Sequence, residues 1–160
     1  MFRRPLVHMV AVAAIAVPVT TAPAQEPATK RATIEHAAEI CANGRDAMAR
    51  HVRRARQAAR DGMWNAFARH GRRYARVGLR HVRRLNRLPA PPPGRYWYDR
   101  YVDRARSTLK WVNLAMDGYA ERRFRVATRR LRRAARHRSR AEKAAREYGL
   151  RGVCVQLLEA

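Results

Sequence analysis

The stretch Pro89-Ala-Pro-Pro-Pro-Gly94 limits the fold of this chain more than any other. No helix runs through it, because each proline lacks a backbone donor and pushes the residue before it out of helical geometry. On both sides, apolar residues recur at alternating spacings of three and four, the period of one helix face. The first run is Ile34, Ala38, Cys41, Met48, Val52, Ala55 and Ala59, broken only by Arg45. It resumes after Asp61-Gly62 as Met63, Phe67, His70, Tyr74, Val77, His81, Leu85 and Leu88. Beyond the prolines it reads Tyr98, Val102, Ala105, Leu109, Val112, Met116 and Tyr119, then Phe124, Ala127, Leu131, Ala134, Ala141, Ala145 and Tyr148. The pattern predicts an all-α protein whose two helical tracts fold back on each other at a Pro-rich turn over 89–94. Thr33 is the expected N-cap of the first tract. Gly149 is the expected stop of the last, with Leu150 as its hydrophobic contact.

Two arrangements satisfy this pattern. If Asp61-Gly62 and Asp117-Gly118 both break the chain, segments 33–60, 63–88, 96–117 and 119–148 form a four-helix bundle. If each glycine is tolerated at about 1 kcal/mol relative to alanine, the result is a long antiparallel helical hairpin. Trp64, Phe67, Tyr74, Trp97, Trp111, Tyr119 and Phe124 gather mid-chain while the outer segments offer mainly alanine, which favours the bundle, since alanine seams bury little area. Both arrangements bring Tyr148 beside Glu35 and leave Cys154 a short tail away from Cys41. A disulfide is therefore expected to close the two ends, contributing on the order of 4–5 kcal/mol by restricting the unfolded chain.

The N-terminus carries Arg3 and Arg4, an apolar run from Met9 to Val17, and Ala22-Pro23-Ala24 before Gln25, the three parts of a cleaved secretory signal. The apolar run falls short of the roughly 20 residues that a membrane span requires. Residues 1–24 are thus read as a signal peptide, 25–32 as a flexible segment and 33–158 as one helical domain. The protein is expected outside the cytoplasm, extracellular or in the cell envelope, the periplasm where one exists, without a transmembrane span. An oxidising compartment agrees with pairing the two cysteines.

Ala38-Glu39-Ile40-Cys41, together with Ala145-Arg146-Glu147-Tyr148-Gly149-Leu150 and Val153-Cys154, resembles the boundary motifs of small exported, largely helical proteins of unknown function from GC-rich bacteria. The resemblance implies a helical exported domain and supplies no activity. The chain departs from that pattern in lacking a lipobox, in carrying Gly152 inside the late motif, and in its arginine load.

Lys and Arg number 36 against 12 Asp and Glu, a formal net charge of +24. A field of this size draws polyanions and repels itself on compaction. Codon bias explains arginine in place of lysine but not the shortage of acids. The cations are ordered. Arg69, Arg73, Arg76, Arg80, Arg83 and Arg87 form one stripe, and Arg122, Arg125, Arg129, Arg133, Arg136 and Arg140 another, continued by Lys143. Residues 122–140 contain no acid. Like charges three and four apart destabilise a helix by a few tenths of a kcal/mol per pair, so a counter-charge is expected from outside.

The expected partners are anionic envelope polymers or lipid head groups. The alternatives are DNA or RNA held through phosphates, with Tyr96-Trp97-Tyr98-Tyr101 as a base-stacking or core-anchoring cluster, and a structural secreted protein without a polyanion ligand. A partly alanine-lined core leaves room for completion by a second copy. Catalytic residues, metal ligands and cofactor sites are not expected. The six histidines form no H-x-x-x-H pair, Ser107 and Ser139 lack a glycine-framed elbow, and phosphate loops are absent. His70 and His81 fall on the apolar stripe and read as packed residues.

Overall fold

The computed structural model describes residues 29–156, leaving the signal-like segment outside the described residues. Its helices are α1 (Lys30–Arg60), α2 (Trp64–Leu85), α3 (Arg95–Ala120), α4 (Phe124–Tyr148) and the single turn α5 (Val153–Gln156). They form an up-down-up-down bundle in which α2 packs against α1 and α3, and α3 packs against α4. Met48 of α1 and Leu109 of α3 both meet Gly78 of α2, which allows the three helices to approach closely. The chain is thus the four-helix version of the two arrangements, and the Cys41–Cys154 disulfide is present with its Cα atoms 5.1 Å apart.

Several boundaries differ from the sequence expectation, among them the end of α2, at Leu85 rather than Leu88. α1 begins three residues earlier, capped by Thr29, whose hydroxyl accepts from the Ala32 amide at 3.2 Å. Thr33 is instead buried inside the helix, where its hydroxyl donates to the Pro89 carbonyl at 2.8 Å and ties the Pro-rich loop to α1. Asp117-Gly118 does not break the chain. Gly118 stays helical and buried because Ala127 of α4 sits against it, 3.1 Å from where a Cβ would be. The reversal comes at Glu121-Arg122-Arg123, with Arg122 in the left-handed region at φ 56°.

The buried face of α1 also runs one residue from the predicted stripe. Cys41, Met48 and Ala55 are buried as expected, but the partner row is Ala37, Gly44, His51 and Ala58. Arg45 therefore interrupts nothing; Gly44 occupies the seam beside it, and Arg45 is exposed.

One end of the bundle gathers the N-terminus of α1, the Pro-rich loop, the C-terminus of α4 and α5. Here Tyr98, Tyr101, Tyr148, Leu85, Leu150 and both cysteines are fully buried. The Tyr98 hydroxyl donates to the Leu85 carbonyl at 2.7 Å and that of Tyr101 to the Cys154 carbonyl at 3.2 Å. Gly149 ends α4 at φ 103° and the Leu150 amide returns to the Ala145 carbonyl at 2.8 Å, the expected helix stop. The other end carries the turns 61–63 and 121–123. Its core is smaller, Ala68, Ala115 and Met116 with Phe67, Tyr119 and Leu131 against them.

The bundle does not close on its fourth side. Among the described residues no Cα of α1 comes within 8 Å of a Cα of α4. At the disulfide end α5 sits between these helices; toward the turns a cleft separates them. No described helix is long and apolar enough to cross a membrane.

Candidate functional site

Helical spacing decides where the cations go. With Tyr74, Ala75, Val77, Gly78, His81, Val82 and Leu85 turned inward, Arg73, Arg76, Arg80 and Arg83 of α2 face water, and the same logic applies around Ala127, Ala134 and Ala141 in α4. All twelve predicted arginines are exposed: Arg69, Arg73, Arg76, Arg80, Arg83 and Arg87 on α2, and Arg122, Arg125, Arg129, Arg133, Arg136 and Arg140 on or beside α4. Among the described residues none of the twelve has a carboxylate within 4.0 Å, whereas Arg31, Arg45, Arg72, Arg95, Arg106, Arg123 and Arg138 each have one. Among the described residues Arg50, Arg53, Arg54, Arg56 and Arg60 on α1 and Arg100 and Arg104 on α3 are also without a carboxylate partner, so the acids neutralise single sites on every helix and the stripes of α2 and α4 stay bare.

The two stripes do not form one surface. α2 and α4 stand at diagonal corners, with no Cα pair within 8 Å among the described residues. Arg69 and Arg122, one from each stripe, both line a depression at the turns, together with Met63 and Trp64. Arg133 lies over the Trp111 ring, its guanidinium carbon 4.9 Å from the centroid, which holds the charge outward against an aromatic face.

Sequence reading missed the contribution of α1. His51 and His70 stack across the α1–α2 groove with ring centroids 6.3 Å apart, and neither Nδ1 has a hydrogen-bond partner. Burial first, then Arg50, His70, Arg73 and Arg54, hold His51 below the usual imidazole range. Burial, Arg54, Arg73 and Arg69 do the same for His70. Arg50 and Arg54 therefore extend the α2 stripe across to α1. The available signal was their position either side of His51, which becomes informative only once His51 is known to be buried.

The aromatic quartet divides. Tyr98 and Tyr101 are core anchors, Trp97 is half-buried, and Tyr96 is exposed under Arg100. His81 is buried and His70 half-buried, both on the packed stripe. Among the described residues no three His, Cys, Asp or Glu side chains gather as metal ligands. Comparisons with protein-family models, curated proteins and solved structures give no match.

Proposed function

We propose that this protein is exported and binds anionic cell-envelope material, wall polymers or lipid head groups, through the arginine stripes of α2 and α4. The observation that carries this reading is the absence of carboxylate partners for twelve exposed arginines among the described residues, on helices whose like-charge spacing is otherwise unfavourable. An external polyanion supplies the missing counter-charge and releases its own condensed ions on binding. Because the stripes lie on diagonal corners, one molecule offers two separate anion-binding edges and bridges two polymer strands or two surfaces. The disulfide and the signal-like N-terminus support a location outside the cytoplasm. A base-stacking role is less well supported, since Tyr98 and Tyr101 are committed to the core.

The test is a salt titration of binding to anionic vesicles, heparin and duplex DNA. The reading predicts a steep loss of affinity with log salt for vesicles and heparin, with cross-linking visible as turbidity. Absence of binding at about 0.15 M salt, where the screening length is about 8 Å, overturns it. A DNA preference that survives high salt replaces it with the nucleic-acid reading.

A further inference from the structure

The open side of the bundle contains a cleft of about 260 Å³ between α1 and α4, floored by α2 and α3. Its walls are Val52 and Ala55 on one side and Leu131, Ala134 and Ala135 on the other; Phe67, Tyr74 and Met116 form part of the floor. Small residues on the flanking helices make the space: Ala55 and Ala134 stand where larger side chains would meet across the gap. The lining residues include no acid and two cations, Arg56 from α1 and Arg138 from α4. Arg56 is exposed. Arg138 is half-buried and has Glu142 at 3.3 Å, one turn further along its own helix. The Tyr74 hydroxyl keeps its proton, because burial pushes its pKa to about 12 despite the opposing influence of Arg138.

An apolar slot between packed helices with a few polar groups at its edge is the usual form of a small-molecule site. A largely apolar slot of this size admits one acyl chain, and a guanidinium on each wall recognises an oxyanion at the end of that chain. We propose that the α1–α4 cleft binds a single-chain anionic amphiphile, an alkyl chain ending in a carboxylate or phosphate, with the chain against Val52, Phe67, Met116 and Leu131 and the head between Arg56 and Arg138. This site is separate from the arginine stripes and does not rest on them. The cleft takes one monomeric ligand, whereas the outer faces take polymers and surfaces.

The experiment measures displacement of a fluorescent polyene fatty acid from the natively expressed protein by decanoate, decyl phosphate and 1-decanol, all below their aggregation thresholds. Both anions are expected to displace the probe, with 1-decanol at least about tenfold weaker. The double variant Arg56→Gln/Arg138→Gln is expected to lose about tenfold or more in decanoate affinity and to lose the preference over decanol, while retaining heparin binding. Ala135→Phe, at the exposed rim, places a ring in the slot and is expected to weaken all three ligands with helical circular dichroism unchanged. The charge-matched variant Arg146→Gln/Arg151→Gln, at the disulfide end, is expected to behave as wild type. The proposal is overturned if the probe does not bind, if decanol matches decanoate, or if the charge-matched variant falls as far as the cleft variant. It is also overturned if Ala135→Phe folds and binds normally, or if the chain sediments as a dimer that excludes the probe.

Discussion

The two ends of the bundle are built on different terms. At the disulfide end, large side chains are fully buried, tyrosine hydroxyls satisfy the carbonyls of Leu85 and Cys154, and α5 fills the gap between α1 and α4. At the turn end the buried apolar cluster is only Ala68, Ala115 and Met116 among the described residues, Met63 is 51% and Phe124 40% exposed, and the α1–α4 gap is open. Hydrophobic stabilisation follows buried apolar area, so the first end carries most of the fold. The second contains the open cleft and the depression that Arg69 and Arg122 both line. Regions that bind are drawn from the less stable part of a structure.

This contrast is broken most severely by removing the latch. Cys41→Ser/Cys154→Ser is expected to lose about 4 kcal/mol in chemical denaturation, given a separation of 113 residues. Hydrogen exchange should show α5 and the start of α1 released first; protection lost equally at both ends would contradict a local latch. Tyr98→Phe should cost about 0.5–1.5 kcal/mol, because it removes one of two hydrogen bonds to the Leu85 carbonyl, the other coming from the Leu88 amide at 3.0 Å.

The turns sharpen the contrast on a smaller scale. Gly62 and Arg122 occupy equivalent positions, at φ 67° and 56°, each followed by an amide that returns to the preceding helix, Met63 to Ala58 and Arg123 to Gly118. Gly62→Ala should therefore lose about 1 kcal/mol, and Arg122→Gly should gain a similar amount or less, measured as opposite shifts in melting temperature. Arg122 places a cation at the turn that glycine would remove, so the stabilised Arg122→Gly variant should also bind heparin more weakly.

The smallest expected effect is on pH dependence. His51 and His70 lie in the half nearer the turns with pKa values below 6.5, so the unfolded chain binds more protons than the folded one as pH falls through that value. Stability should accordingly decrease between neutral pH and pH 5, and His81 and His137, also held below the usual imidazole range by burial first, add to the same loss. His51→Gln/His70→Gln should flatten that dependence.

Much of this contrast was legible in the chain itself. The proline break, the helical period, the Gly149 stop and the cysteine pairing all depend on local chemistry or on counting along a helix. What escaped the sequence depends on neighbours. Gly118 looks like Gly62 in isolation and differs only because Ala127 presses against it. Arg122 carries no turn signal, since its conformation is imposed by the two helices it joins. The seam position of Gly44, rather than Arg45, follows from where α2 lies. The stripes on α2 and α4 could be read as exposed faces, but their diagonal placement, the cleft between α1 and α4, and the stacked His51–His70 pair exist only in the assembled bundle.

The central claim is that the outward arginines lack an internal counter-charge and take one from a polyanion. Its most direct measurement is the slope of log affinity for heparin against log salt, compared between wild type and Arg125→Gln/Arg129→Gln/Arg133→Gln/Arg136→Gln/Arg140→Gln. These five positions are exposed on α4 and have no carboxylate within 4.0 Å among the described residues, so glutamine should leave the bundle folded. The account predicts a shallower slope, by up to roughly 0.7–0.9 for each contact removed if heparin behaves as nucleic acids do, together with weaker binding at every salt concentration. A folded variant whose slope and affinity equal those of wild type would contradict it.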